Sequence, residues 1–181
     1  HTVIPTGIKH GTVTVIFKGH HFEVTTFRVE GTYSNARHPD EIHFTPDLFE
    51  DLKRRDFTIN SMAVHLVDGS LVDPNEGRKD LKRRLVRAIG EPAERFREDG
   101  LRLLRACRFA AQLEFSIEAQ TQQAMTATVT TIEQVSAERI RDELVKMLSS
   151  RRPSIGLRIM EATGLLRIII PELAACRGVE Q

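Results

Sequence analysis

The densest group of residues able to bind a charged ligand is the stretch KRRDFTIN, residues 53–60, with three cations, one carboxylate and one amide. Cations neutralise phosphate, and the guanidinium of Arg55 adds a two-pronged hydrogen-bond donor. Asp56 can accept a hydrogen bond from a ribose hydroxyl, and Asn60 lies one helical turn further on. The pattern favours contact with the ribose and phosphate end of a nucleotide. The alternative is a solvated basic helix face with internal ion pairs.

A second group begins at Asp99 and continues through Arg102, Arg105 and Arg108, which recur at steps of three. On a helix such steps sweep a basic arc, while the leucines and alanines between them face a core. A carboxylate acceptor beside a guanidinium donor is the pairing that can read the edge of a base, which suits Asp99 with Arg102. The further arginines would hold phosphate. Alternatively, Asp99 only caps the helix that begins at Gly100 and the arginines are exposed.

The first ninety residues, which must position the first group, are predicted to be rich in strands. Alternating apolar residues indicate two strands between residues 12 and 29, joined at 18–21. Residues 4–8 lead straight into this pattern without a preceding element that would complete a sheet, so we expect the beginning of the domain to be missing. Polar residues dominate 31–44, which predicts a long functional loop.

A helix and a hairpin are predicted after this loop. Thr45 and Pro46 supply a cap and a first-turn proline for a helix that continues past Arg55 toward Met62. Short strands at 63–66 and 70–72 flank an Asp-Gly pair, which is typical of tight hairpin turns.

The second half, after Gly90, is predicted to be almost wholly helical. Ser136 is expected to cap a helix over 137–149, in which Arg139 and Glu143 are four apart and would pair on the surface. A further helix is expected to end at Gly164 in a left-handed conformation, and the proline at 171 is expected to stop the segment after it.

Composition bounds the class of protein without identifying it. In 181 residues, 26 lysines and arginines face 25 acidic residues, so net charge gives no argument for nucleic acid. Cys107 and Cys176 have neither the number nor the spacing of a disulfide framework or zinc site, which favours a reducing, cytoplasmic setting. The seven histidines show no metal-ligand spacing. No run approaches the roughly 20 apolar residues that cross a bilayer, so no membrane partner is expected.

Both chemical groups occur in longer stretches that resemble one family. Residues 54–63 (RRDFTINSMA) and 98–102 (EDGLR, continued by LLRACRFAAQL) are similar to the ribose- and base-recognition motifs of the CCA-adding enzymes and bacterial poly(A) polymerases. Residues 11–28, 73–81 (DPNEGRKDL) and 136–144 (SAERIRDEL) match its other motifs. The resemblance implies that Arg55 and Asp56 contact the ribose and phosphate end, Asp99 and Arg102 the base, and Arg105 and Arg108 the phosphates. With Asn60, which the residue pattern adds, seven nucleotide-binding residues are expected.

The resemblance also implies an α+β fold and a reaction. The expected parts are a partial nucleotidyltransferase head of strands and helix (1–90), an all-helical neck with the base-recognition motif (91–150) and the start of a helical body (151–181). The expected reaction adds CMP and AMP, from the substrates CTP and ATP, to the 3′ end of tRNA. Poly(A) polymerase, an enzyme adding only C or only A, a noncatalytic RNA-binding module, and half of a split enzyme with a complementary chain stay open.

Three departures from the family's pattern matter. Its glycine-rich phosphate loop and its pair of aspartates one residue apart, which hold two magnesium ions, do not occur in this sequence. We therefore assign no catalytic or metal-binding residue, expect Mg²⁺ to be bound by residues absent from this chain, and predict that the chain alone is inactive. Glu23 is expected to be structural. Asn35 stands where aspartate is usual, and Gly100, where proline is frequent, is expected to loosen the base-reading helix.

Overall fold

The computed structural model describes residues 2–8, 11–30 and 42–179. Strands β1 (Thr2–Gly7), β2 (Thr12–Phe17) and β3 (His20–Thr25) form an antiparallel sheet in that order, which confirms the two predicted strands. The expectation that no element precedes them is wrong, because β1 pairs with β2 and sets Val3 opposite Val15. Most of the predicted polar loop, including Asn35, lies outside the described residues.

The helix expected to run from Thr45 toward Met62 is much shorter. Strands β4 (Arg28–Glu30) and β5 (Ile42–Phe44) precede α1 (Leu48–Lys53), and Asp47 is its cap, with Oδ1 accepting from the Phe49 amide at 2.8 Å. Beyond α1 the chain turns extended at Phe57 before a short 3-10 helix, Thr58–Asn60. Phe57 is fully buried and bridges Ala88 in an antiparallel pair, so this long-range pairing overrides the helical pattern.

The predicted hairpin is present with shorter strands, β6 (Ala63–Val64) and β7 (Leu71–Val72). Gly69 takes a positive φ of 71° at its turn, as an Asp-Gly turn requires. Helix α2 (Gly77–Arg83) and strand β8 (Leu85–Val86) complete this half.

The second half is helical, as expected, with one exception. Its elements are α3 (Pro92–Glu98), α4 (Leu101–Leu113), β9 (Ser116–Ile117), α5 (Ala119–Ala127), a 3-10 helix (Val129–Gln134), α6 (Ala137–Leu148), α7 (Pro153–Thr163), α8 (Leu165–Ile169) and α9 (Pro171–Ala175). The exception is β9, which pairs in parallel with β8 and joins the two halves. Gly164 ends α7 with φ 85°, as predicted. The segment after Gly164 ends at Ile169, just before Pro171, as predicted, and Pro171 then begins α9 because proline suits the first turn of a helix.

Helix α4 lies at the centre of one continuous core. Its apolar side packs against α6 and α7, and Leu104 and Cys107 are fully buried. The core extends back to Phe57 and Val86, so the predicted head and neck share it. Burial raises the pKa of the Cys107 thiol to about 12, and both cysteines are free thiols. Among the described residues, no helix has the length and apolar character needed to span a bilayer.

Candidate nucleotide-binding site

The corner between α3 and α4 positions Asp99. Its backbone is extended (φ −149°, ψ 104°), and Gly100 follows in a helical conformation. Gly100 is buried against the 3-10 helix that precedes α6, where an added Cβ would clash with the carbonyl oxygen of Thr131. The absence of a side chain thus lets this corner pack closely, which differs from the loosening expected of a glycine here.

Both oxygens of Asp99 have partners. Oδ1 accepts from the backbone nitrogen of Leu101 at 3.1 Å, so the capping role is present. Oδ2 accepts from Nη2 of Arg139 at 2.7 Å. The surface pair predicted between Arg139 and Glu143 is therefore wrong, since helix packing turns Arg139 to Asp99 and Glu143 to Arg108.

Arg102 is buried instead of exposed. Its Nη1 donates to Glu98 Oε2 at 2.5 Å and to the carbonyl oxygen of Arg95 at 3.0 Å. Its Nη2 lies 3.4 Å from the carbonyl oxygen of Arg54. Helix α3 and the Arg54 carbonyl oxygen therefore hold this guanidinium, and the interpretation of Arg102 as a solvated surface residue is wrong.

Asp56 and Arg105 connect the two groups of residues found in the sequence. Asp56 Oδ2 accepts from both Nε, at 2.8 Å, and Nη2, at 2.5 Å, of Arg105, although the residues are 49 positions apart. Asp56 Oδ1 accepts from the Phe57 amide at 2.8 Å and from Asn60 Nδ2 at 3.0 Å. Asp56 is buried, so the stretch from Lys53 to Asn60 is not a uniformly solvated face.

A polar pocket of about 210 Å³ opens where these side chains meet. It is lined by Asp56, Asp99, Leu101, Arg102, Arg105 and Arg139. Two carboxylates thus stand beside three guanidinium groups in one small space. Such a pocket can offer hydrogen-bond acceptors and donors together to a polar, partly anionic ligand.

Three of the seven residues expected to bind nucleotide do not line this pocket. Arg55 donates to the Asn60 carbonyl oxygen at 3.0 Å and to Asp51 Oδ2 at 3.1 Å. Its pair with Asp51 is an internal ion pair of the kind expected if residues 53–60 formed a basic helix face. Asn60 contributes its bond to Asp56. Arg108 is buried, stacks 3.9 Å from the ring centroid of Phe109, and donates to a carboxylate of α6.

That carboxylate is Glu143, which is buried and joins α6 to α4. Its Oε2 accepts from Arg108 Nε at 2.5 Å, and its Oε1 lies 3.1 Å from Lys146 Nζ and 3.9 Å from Arg105 Nη1. Burial alone would raise the pKa of Glu143, but the hydrogen bond and charge of Arg108 more than offset it, so the pKa lies below its ordinary value. Glu143 therefore stabilises the arginines that surround it.

Sequence reasoning missed Arg139 and the buried position of Glu143, although a signal existed. Arg139, Glu143 and Met147 follow one another at steps of four along α6, and Met147 is fully buried. Residues four apart lie on one helix face. The face of α6 that buries Met147 therefore also directs Arg139 and Glu143 inward.

The described residues do not fit a magnesium centre. In residues 2–8, 11–30 and 42–179, no three His, Cys, Asp or Glu side chains lie together as a cation site would require. The two-metal route of phosphoryl transfer needs carboxylates that hold both ions. We therefore assign no metal-binding residue to this part of the chain.

Comparison with known families and proteins identifies the chain's relatives. A sequence model of the "Poly A polymerase head domain" matches residues 1–87, and a model described as "Probable RNA and SrmB- binding site of polymerase A" matches residues 114–177. The CCA-adding enzyme of Lactobacillus johnsonii is 48% identical over 162 residues, which are 90% of this chain and 40% of the relative. The chain belongs to the family of CCA-adding enzymes and poly(A) polymerases.

Other family members extend the similarity over the whole chain. The CCA-adding enzyme of Limosilactobacillus reuteri is 46% identical over 180 residues, 99% of this chain and 42% of the relative. The crystal structure of the Bacillus stearothermophilus CCA-adding enzyme in complex with CTP superposes with a TM-score of 0.83 at 39% identity. It covers 91% of this chain and 39% of that one. The chain thus spans well under half the length of these relatives and shares their fold.

A further solved relative is described in complex with RNA. The Thermotoga maritima CCA-adding enzyme complexed with tRNA_CCA superposes with a TM-score of 0.75 at 28% identity, over 94% of this chain and 38% of that chain. The α+β fold expected from the resemblance, with a nucleotidyltransferase head leading into helices, is therefore confirmed.

Proposed function

We propose that this chain supplies the nucleotide-recognition pocket of an enzyme that adds CMP and AMP, from CTP and ATP, to the 3′ end of tRNA. One observation carries the proposal: Asp99, an acceptor, and Arg102, a donor, line the same small pocket. Cytosine and adenine both present an exocyclic amine next to a ring nitrogen, whereas uracil and guanine present a carbonyl oxygen there. Asp99 accepts from the amine and repels the carbonyl, so one pair selects both substrates without a template.

The ribose and phosphates are assigned to two other residues that line the pocket. Asp56 is the acceptor for a ribose hydroxyl, and Arg105, which is 32% exposed, is the donor for phosphate. Asn60 orients Asp56 through its hydrogen bond. Arg55 and Arg108 hold supporting contacts in this structure, so we place them behind the pocket instead of against the nucleotide.

The relatives support the choice of substrates. Solved CCA-adding enzymes are described in complex with CTP, with ATP and with tRNA. In this family magnesium ions would activate the attacking 3′-hydroxyl and stabilise the departing pyrophosphate. The residues of this chain bind and orient the nucleotide only, and the metal-binding aspartates would come from elsewhere in the protein or from a complementary chain.

Incorporation of labelled CTP and ATP tests this proposal. The substrates are three tRNA transcripts, whose 3′ ends stop before the first C of CCA, after the first C, or after both C residues. The protein is the complete gene product that carries this sequence. We expect ordered addition of C, C and A, and no incorporation by residues 1–181 alone. Long A tails on unrelated RNAs would make the protein a poly(A) polymerase. A complete gene product with an intact aspartate pair that incorporates neither nucleotide would favour a noncatalytic RNA-binding module.

A further inference from the structure

We infer that Arg139 is a positioning residue for Asp99 and that it sets the preference of the pocket for bases with an exocyclic amine. The inference rests on the proposed function, because it concerns how Asp99 reads the base. It adds a residue of α6 to a recognition pair that the sequence motifs place on α4 and the corner before it.

The contacts of Arg139 point to a role that serves Asp99. Nη2 donates to Asp99 Oδ2 at 2.7 Å, and the side chain lines the same pocket with 32% of its surface exposed. Nη1 is buried and has no hydrogen-bond partner among the described residues. A buried donor without a partner destabilises the folded protein, so a residue selected only for stability would be expected to satisfy it. Asp99 is the contact that directs this guanidinium.

Without Arg139, little would fix the plane of the Asp99 carboxylate. The terminal torsion of aspartate is broad, and the other described contact of the carboxylate is the Leu101 amide on Oδ1. With Arg139 on Oδ2, both oxygens are pinned, and the lone pairs that are left present a fixed acceptor to the pocket. A carboxylate in a fixed orientation discriminates between an amine and a carbonyl oxygen better than a carboxylate that can rotate.

Donor and acceptor are thus held by two different helices. Glu98 and the Arg95 carbonyl oxygen hold Arg102 from α3, and Arg139 holds Asp99 from α6. The docking of α6 itself does not depend on Arg139, because Glu143 and the buried Met147 also join it to the core. Removing the Arg139 guanidinium therefore frees Asp99 while leaving the helix in place.

The test compares four nucleotides on four proteins. Dissociation constants for CTP, ATP, UTP and GTP are measured on the complete gene product and on its Arg139→Gln, Arg139→Lys and Arg141→Ala variants. Arg141 is the matched control, since it lies on the same helix, is exposed, and pairs with neighbouring Asp142. We expect Arg139→Gln to reduce the preference for CTP over UTP, and for ATP over GTP, by about tenfold. Arg139→Lys should restore part of it, and Arg141→Ala should not change it.

The outcomes separate this inference from the proposed function. Equal weakening of all four nucleotides, with the preferences unchanged, would make Arg139 a structural residue and overturn the inference alone. An unmodified protein that does not prefer amine-bearing bases would overturn both. Melting temperatures of the variants, measured alongside, confirm that the comparison is made between folded proteins.

Discussion

Replacing Asp99 with asparagine is expected to weaken binding of CTP and ATP by about 10- to 100-fold, the effect of removing one well-aligned base contact. Asparagine keeps the size of the side chain and still caps α4, so the fold should be retained. It lacks the negative charge that pairs with Arg139 and that repels carbonyl-bearing bases. Binding of UTP and GTP should therefore not weaken and is expected to become stronger, because the repulsion of their carbonyl oxygens is removed. Isothermal titration with the complete gene product measures all four.

The control for this substitution is Asp142→Asn. Asp142 is an exposed aspartate on α6 whose contact is with neighbouring Arg141, outside the pocket. It should leave all four affinities unchanged. If Asp99→Asn behaves like this control, Asp99 does not read the base.

The largest loss of stability is expected from Glu143→Ala. It leaves the buried guanidinium of Arg108 without its carboxylate and removes a partner of Lys146. Breaking a buried ion pair on one side costs about 3–5 kcal/mol, so the free energy of unfolding in urea should fall by that amount. The matched change Asp142→Ala, at an exposed carboxylate of the same helix, should alter it by about 0.5 kcal/mol or less. Equal effects of the two substitutions would contradict the central position given to Glu143.

The same carboxylate predicts a pH dependence. The folded protein holds the pKa of Glu143 below its ordinary value of 4.5, so ionised Glu143 favours folding. This contribution is present in full above pH 4.5 and is lost as the pH falls through the lowered pKa of the folded state. The urea concentration at the midpoint of unfolding should therefore fall on acidification below pH 4.5. The fall should be smaller in the Glu143→Ala variant, which lacks this carboxylate.

The sequence predicted the chemistry of the pocket better than its geometry. Asp56, Asp99, Arg102 and Arg105 were all found from residue type and spacing, and the structure brings them to one place. They come together through contacts such as that between Asp56 and Arg105, which are 49 positions apart, and local sequence patterns do not predict such contacts. Arg139 was assigned to Glu143 because helix spacing alone suggests pairs four apart, whereas helix packing decides the actual partners.

Local signals also failed where a distant segment imposes the backbone. The helix predicted to continue past Arg55 ends at Lys53, because Phe57 is buried and must be extended to bridge Ala88. The strand β1 was missed because its role depends on its pairing with β2 and not on a pattern of its own. By contrast, Gly164 was predicted correctly, since a left-handed helix end is a local requirement.

The most direct test of the pocket is the spectrum of arginine side chains during a titration with CTP. In a chain of 20.5 kDa the Nε–Hε resonances can be assigned by substitution and followed by NMR. We predict that the resonances of Arg102, Arg105 and Arg139 shift with CTP in a saturable way while that of Arg141 does not. Saturable shifts confined to arginines outside the pocket, or no shift in these three when CTP is bound, would contradict the assignment of this pocket to the nucleotide.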